Sequence, residues 1–277
     1  MNDAGLESVL EELRRSRGLD LSAYRRPTLS RRLASRMAAL RLTDPGEYLR
    51  RLQSDLQECV RLLEIIIIKV SSFFRDPMVF EFLAKHILPQ IISQHRRRGS
   101  RQIRVWSAGC ASGEEAYSAA ILLVQALEAE ECPLHPYICA TDISDEALET
   151  AKIGEYPRER FNTTQLGILE RFFRAVPAGF AISRHIQEVV HFSRDDLTSG
   201  HSRAPADSVY GSFDLVLCRN VLIYFDLELQ DRVVHRLYSA LNPGGYLVLG
   251  SSEALPPAMA PRFLVVDRAS RIFQKPA

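Results

Sequence analysis

Through the first part of the chain, apolar residues return every three or four positions, the spacing of one buried helix face: Leu29, Leu33, Met37 and Leu40, then Tyr48, Leu49, Leu52 and Leu56. Pro27 and the Thr43-Asp44-Pro45-Gly46 cluster mark helix starts, because Thr or Asp caps the first free N–H groups and proline fits the first turn. Residues 1–68 are therefore expected to form a small bundle of short helices. Residues 69–100 read as a connector, helical from Asp76 to Gln94. The polar run His95-Arg96-Arg97-Arg98-Gly99-Ser100 that closes it suits a hinge or loop.

From Ile103 the pattern changes to short β-branched runs alternating with helical stretches. It predicts strands at Ile103–Ser107, Tyr137–Thr141, Val189–Ser193, Phe213–Cys218 and Gly245–Gly250, and a hairpin through Phe263–Val266 and Arg271–Gln274. Helices are expected at Ser112–Glu128, Asp145–Lys152 and Leu227–Leu241. This alternation over residues 101–277 implies an α/β fold, a mostly parallel sheet covered on both faces. Residues 154–193 break the pattern: a helix near Thr164–Phe173, then Pro177-Ala178-Gly179 between short extended pieces, reads as a small antiparallel β insertion.

Composition narrows the class. In 277 residues, 46% are apolar and 25% charged, with 35 basic against 34 acidic side chains and a net charge of +1, an ordinary globular balance rather than that of a general nucleic-acid binder. The densest apolar run, Ile65–Ile68, stops at Lys69, far short of a membrane span. The N-terminus lacks the layout of a secretion signal, so a cytoplasmic protein is expected. Five cysteines without a C-x-x-C pair suit reduced, buried thiols, and the scattered histidines offer no metal-ligand spacing, so no metal is expected. Charge is uneven, however. Between Arg14 and Arg51 there are eleven arginines and no lysine against three acids, a local excess of eight positive charges.

Four segments carry candidate chemistry. Gly109 and Gly113, in Val105-Trp106-Ser107-Ala108-Gly109-Cys110-Ala111-Ser112-Gly113-Glu114-Glu115, let backbone approach a ligand where a strand turns into a helix. The spacing is not the dinucleotide fingerprint G-x-G-x-x-G. Two acids at the helix start would repel a pyrophosphate and suit a cation, or serve simply as good capping. Asp142, ending the second strand, reaches the sheet edge where a carboxylate can accept both hydrogen bonds of a ribose diol; alternatively it caps the next helix, a role Ser144 can also fill. Together these favour an adenosine-type ligand without a phosphate clamp, and S-adenosylmethionine, a sulfonium, fits better than NAD or ATP. Arg219, Asn220 and Tyr224 follow a buried strand to the same edge, although Tyr224 also suits a core position. Ser71-Ser72-Phe73-Phe74-Arg75-Asp76-Pro77 could by itself be a helix start with two core phenylalanines.

The blocks SSFFRDPMVFEFL, RVWSAGCASGEEAYSAA, ATDISDEAL, FDLVLCRNVLIYFD and LNPGGYLVLGSSEAL, in that order from about Ser8 to Gln274, resemble the chemotaxis receptor methyltransferase (CheR) family. The resemblance implies a helical N-terminal domain joined to a Rossmann-like class I methyltransferase domain with a small β-subdomain. It implies methyl transfer from S-adenosylmethionine to glutamate side chains on the cytoplasmic signalling helices of chemoreceptors, leaving S-adenosylhomocysteine. Arg75 and Tyr224 fall at the family's catalytic positions; Ser71, Glu115, Asp142, Asp196, Leu197, Arg219 and Asn220 fall at its cofactor contacts. Lys69 departs from the family's usual Asn at a cofactor-contact position, which puts a cation near a sulfonium.

A glutamate with a pKa near ~4.3 is ionised at neutral pH, so no general base is needed and the lack of a His or Cys base is expected. Arg75 and Tyr224 are accordingly assigned to positioning. Receptor methylation regions, by the same resemblance, are acidic helices, and Arg31, Arg32 and Arg36 are the expected docking residues. The short tip between Phe173 and Phe180 points to a member that does not depend on tethering a receptor tail. A monomer is the expected state. A nucleic-acid methyltransferase is disfavoured by the lack of its Pro-Cys or Pro-Pro-aromatic signatures. The alternative to an enzyme is a cofactor-binding scaffold that keeps the fold with little turnover.

Overall fold

The computed structural model describes residues 3–17, 21–66, 71–199, 205 and 212–277, and Lys69 lies outside them. The chain divides into two compact units, Met1–Val70 with Tyr224–Gln230, and Ser71–Ile223 with Asp231–Ala277.

The first unit holds α1 (Asp3–Arg17), α2 (Arg26–Ala39), α3 (Pro45–Ser54) and α4 (Leu56–Ile66). Their apolar stripes close one core: Leu6, Val9, Leu10 and Leu13 from α1, Leu29, Leu33 and Met37 from α2, Tyr48 and Leu52 from α3, Cys59, Leu62 and Ile66 from α4. The start of α3 follows the sequence expectation, with Asp44 accepting from the N–H groups of Gly46 and Glu47, both at 3.1 Å, and Pro45 in the first turn.

The second unit opens with α5 (Pro77–Phe82), a π-helical turn (Leu83–Ile87) and α6 (Leu88–Arg98). This segment is no free connector. Val79, Phe80, Leu83, Ile87, Leu88, Ile91 and Ile92 are buried in the core of the sheet unit, and His95–Arg98 are the last turn of α6 rather than a loop. The reason is the apolar stripe continuing through residues 79–92, which only a helix packed on the sheet can bury. The helix stops at Gly99, φ +64°.

There follow β1 (Gln102–Ala108), α7 (Glu114–Ala129), β2 (His135–Asp142), α8 (Asp145–Ile153), β3 (Glu155–Pro157), α9 (Leu166–Phe172), β4 (Phe173–Val176), β5 (Gly179–Ile182), α10 (Arg184–Gln187) and β6 (Val190–Arg194). The unit ends with β7 (Phe213–Cys218), α11 (Leu227–Ala240), β8 (Leu241–Leu249), β9 (Leu264–Asp267) and β10 (Ile272–Gln274). Seven strands make the Rossmann-like sheet in the order β6-β2-β1-β7-β8-β10-β9. Pairing is parallel from β6 to β8 and antiparallel for β10 with both β8 and β9. The strand order reverses between β1 and β7, the point where open α/β sheets leave a crevice beyond their carboxyl ends. The expected insertion is a separate antiparallel sheet, β3-β5-β4. No helix among the described residues is long and apolar enough to cross a membrane.

Candidate active site

The sheet unit links the loops after β1, β2, β6, β7 and β8 with the Ser71–Asp76 segment at the carboxyl ends of the strands, around the β1/β7 crevice. After β1 the chain turns through Gly109 (φ +77°) and Ala111 (φ +48°) before α7. A Cβ on Gly109 would lie 2.5 Å from Val221 Cγ2, so the turn after β1 packs directly on the loop after β7. Asp142, buried at the end of β2, holds this turn: its Oδ2 accepts from the Ala111 N–H at 2.8 Å and its Oδ1 from the Ser144 N–H at 2.9 Å. Helix capping falls to Ser144, whose hydroxyl accepts from Ala147 N at 3.2 Å. Asp142 thus braces the glycine turn from the end of β2.

Glu115, in the first turn of α7, accepts from Ser107 Oγ at 2.8 Å and from Arg219 Nη1 at 3.4 Å. Burial raises its pKa, against the pull of Arg219 and the Ser107 hydrogen bond. Arg219 itself is 2% exposed in its side chain; its Nη2 donates to Asp76 Oδ2 at 2.7 Å and to the Arg75 carbonyl at 2.9 Å. One guanidinium therefore ties the end of β7 both to α7 and to the Ser71–Asp76 segment.

That segment is tied down at both ends and in its middle. Phe73 N donates to the Arg160 carbonyl at 2.9 Å, Phe74 N to Ser118 Oγ at 2.9 Å, and Arg160 Nη1 to the Ser71 carbonyl at 2.6 Å. Phe73 packs among Tyr156, Phe161 and Phe173, with ring centroids 4.7 to 5.0 Å away. Phe74 (φ +52°) and Asp76 (φ +58°) adopt left-handed backbone on either side of Arg75. With Ala111 and Asn220 (φ +63°) they place four strained non-glycine residues around one crevice, as functional turns often require.

Sequence reasoning missed Glu253. Only 4% exposed, it accepts through Oε2 from Asn220 N at 2.9 Å and Gly250 N at 2.6 Å, and through Oε1 from Ile223 N at 3.3 Å. It joins the loops after β7 and β8. Its only signal in sequence is an acid shortly after a strand end, shared with ordinary loops. Asp196 and Leu197 follow β6; Asp196 Oδ1 accepts from Thr198 N and Oγ1, at 2.8 and 2.7 Å, and the neighbouring Asp195 N–H donates to the Asp142 carbonyl at 3.0 Å.

Other expected residues lie in the helical unit. Tyr224 belongs there, not with the sheet residues. Arg36 is committed to buried Glu58, through Nε at 2.8 Å and Nη2 at 2.6 Å, and Arg32 donates to main-chain carbonyls at the end of α4, which leaves Arg31 as the exposed member of the three expected docking residues.

The family model "CheR methyltransferase, SAM binding domain" matches residues 69–271, and "CheR methyltransferase, all-alpha domain" matches residues 4–66. The chain belongs to the CheR methyltransferase family. It is 33% identical over 245 residues to a chemotaxis protein methyltransferase of Listeria monocytogenes, covering 88% of this chain and 87% of that protein. The corresponding protein of Escherichia coli is 32% identical over 256 residues, 91% of this chain and 85% of that one. An uncharacterised 104.1 kDa protein of Rhodobacter capsulatus is 36% identical over 97% of this chain, which spans 27% of its length.

The crevice of this CheR-family chain fits S-adenosylmethionine on its own residues. Asp142, Glu115 and Glu253 are acids buried or half-buried at the carboxyl ends of β2, β1 and β8, and among them Arg219 pairs with Glu115 alone, which leaves an acidic edge suited to a cationic ligand. The glycine turn keeps backbone close to that edge, and the Arg219 Nε makes no hydrogen bond among the described residues.

Proposed function

We propose that this chain methylates glutamate carboxylates on helical signalling segments of chemoreceptors, giving γ-methyl esters. The observation that carries the reading is the buried carboxylate edge braced by Asp142, with Arg219 joining it to the backbone of Arg75. S-adenosylmethionine, when bound, supplies a methyl group on a sulfonium that a carboxylate oxygen can accept without any proton moving. Asp142 is assigned to the ribose diol; Glu115 and Glu253 supply negative potential for the sulfonium, and Ser71, Asp196, Leu197 and Asn220 complete the cofactor contacts. Arg75, fixed by the left-handed residues beside it, is assigned to the substrate carboxylate, which its planar fork can orient. Tyr224 is assigned to one oxygen of the same carboxylate. Alignment of an already ionised nucleophile is the whole requirement, so none of these residues needs to act as a base. The exposed Arg31 is assigned to docking on an acidic helix.

Calorimetry with S-adenosylhomocysteine tests the cofactor half. Wild type is expected to bind in the micromolar range, and Asp142→Ala to lose at least ~10-fold, the scale of a lost charge-assisted hydrogen bond with its turn unbraced. Equal affinity in the two proteins would move the adenosine away from β2. The substrate half is tested by methyl transfer to a soluble chemoreceptor cytoplasmic fragment. A glutamate ester releases methanol in mild base, and label stable to base would point to a different acceptor.

A further inference from the structure

Arg32, counted with the docking arginines on sequence alone, is half-buried inside the helical unit. Its Nη1 donates to the carbonyls of Ile65 at 3.0 Å and Ile66 at 2.5 Å, at the C-terminal end of α4, where the last carbonyls have no partner within the helix. Its Nε is buried with no hydrogen-bond partner among the described residues. The same guanidinium lies over the Tyr224 ring, Cζ 5.4 Å from the centroid, within range of a cation–π contact.

The main chain of Tyr224 and the two residues after it is held by residues 23–25 of the same unit. Arg25 N donates to the Tyr224 carbonyl at 3.0 Å, Asp226 N to the Ala23 carbonyl at 3.0 Å, and Arg25 Nε to the Phe225 carbonyl at 3.1 Å. Tyr24 pairs with Phe225 in an isolated antiparallel bridge, their rings edge to face at 5.1 Å. The helical unit therefore fixes both parts of this residue, its backbone through residues 23–25 and its ring through Arg32. A guanidinium spent on two carbonyls and a ring face is poorly placed to greet an acidic partner.

We propose that Arg32 is a positioning residue for Tyr224. It anchors the end of α4 and fixes the orientation of the phenol ring, on which the role assigned to the hydroxyl depends. This rests on the role assigned to Tyr224 above. A planar, multiply donating cation suits the task, because it can lie flat on a ring while its edge bridges two carbonyls; a lysine offers the charge without the plane.

The test compares Arg32→Met, Arg32→Lys, Tyr224→Phe, Arg31→Glu and the double variant Arg32→Met/Tyr224→Phe, with a chemoreceptor cytoplasmic fragment as substrate. Arg32→Met should lower kcat roughly 10-fold with KM little changed, and Arg32→Lys should recover part of that loss. Arg31→Glu should instead raise KM, by an amount that shrinks in high salt. In the Tyr224→Phe background Arg32→Met should cost nothing further, because its effect runs through the hydroxyl. S-adenosylhomocysteine binding reports on the folded sheet unit in every variant. A second readout does not depend on turnover. In protein labelled with 3-fluorotyrosine, the resonance missing from Tyr224→Phe should shift or broaden in Arg32→Met and stay in place in Arg31→Glu.

A salt-sensitive rise in KM for Arg32→Met, losses that add in the double variant, or an unmoved fluorine resonance would each overturn the proposal. Wild-type turnover in Tyr224→Phe would instead remove the role of Tyr224 itself, whatever Arg32 does.

Discussion

Asp142 and Glu253 do the same job at two places on the sheet edge, each joining loops by accepting backbone N–H groups, and only one of them could be found from sequence. Asp142 ends a strand whose β-branched run is plain, so its place over the crevice follows from the fold class. Glu253 depends on a turn bringing it back onto the end of its own strand and beside Asn220, which no local pattern announces. Its importance gives Gly250 a role unrelated to backbone freedom. A Cβ there would lie 2.7 Å from Glu253 Oε2 and 2.8 Å from Asn220 N, wedged into the hydrogen bond that joins the two loops. Gly250→Ala is expected to weaken S-adenosylhomocysteine binding about 10-fold and to destabilise the fold by roughly 1–3 kcal/mol, since Glu253 would stay buried with partners lost. Calorimetry alongside urea denaturation measures both.

At the scale of elements, helix periodicity and capping placed α2 and α3 closely, because the stripe of Leu29, Leu33 and Met37 and the Asp44 cap are local signals. The partner of Arg36 was illegible for the opposite reason. Glu58 stands 22 residues further on, and the pair meets only once α2 packs on α4. Burial alone would raise the pKa of Glu58, but hydrogen bonds from Arg36 and Tyr48 outweigh it and hold the carboxyl below its ordinary value. The stability this pair contributes is therefore present above the unfolded glutamate pKa, near ~4.3, and is lost as pH falls through the lowered folded value. Arg36→Met should cost roughly 1–3 kcal/mol near neutrality, since Glu58 loses two charge-assisted hydrogen bonds but keeps the Tyr48 hydroxyl at 2.9 Å and Arg61 at 3.8 Å. It should also shrink the loss of stability in acid, because Tyr48 and Arg51 alone would hold Glu58 less far below its ordinary value. Urea denaturation of both proteins between pH 4 and 8 checks the sign.

For the whole molecule, the five sequence blocks and the strand alternation were enough to read a helical domain followed by a Rossmann-like sheet with a small β insertion. They could not show that Tyr224–Gln230, in the middle of the sheet domain's sequence, joins the helical unit, because that grouping depends on contacts with residues some two hundred positions earlier. Nor could they show where backbone strain would collect. Of the left-handed non-glycine residues, Phe74, Asp76, Ala111 and Asn220 all border the crevice. Ala111→Gly would relieve one of them and should raise Tm by ~1–3 °C, while loosening the turn that Asp142 braces and weakening S-adenosylhomocysteine binding. Calorimetric melting and binding on the same preparation would show the two moving in opposite directions. Selection for heat resistance alone would then enrich variants that have gone quiet, so stabilised versions of this protein should be screened for methyl transfer at every round. The most durable sequence for this backbone is not the one that works.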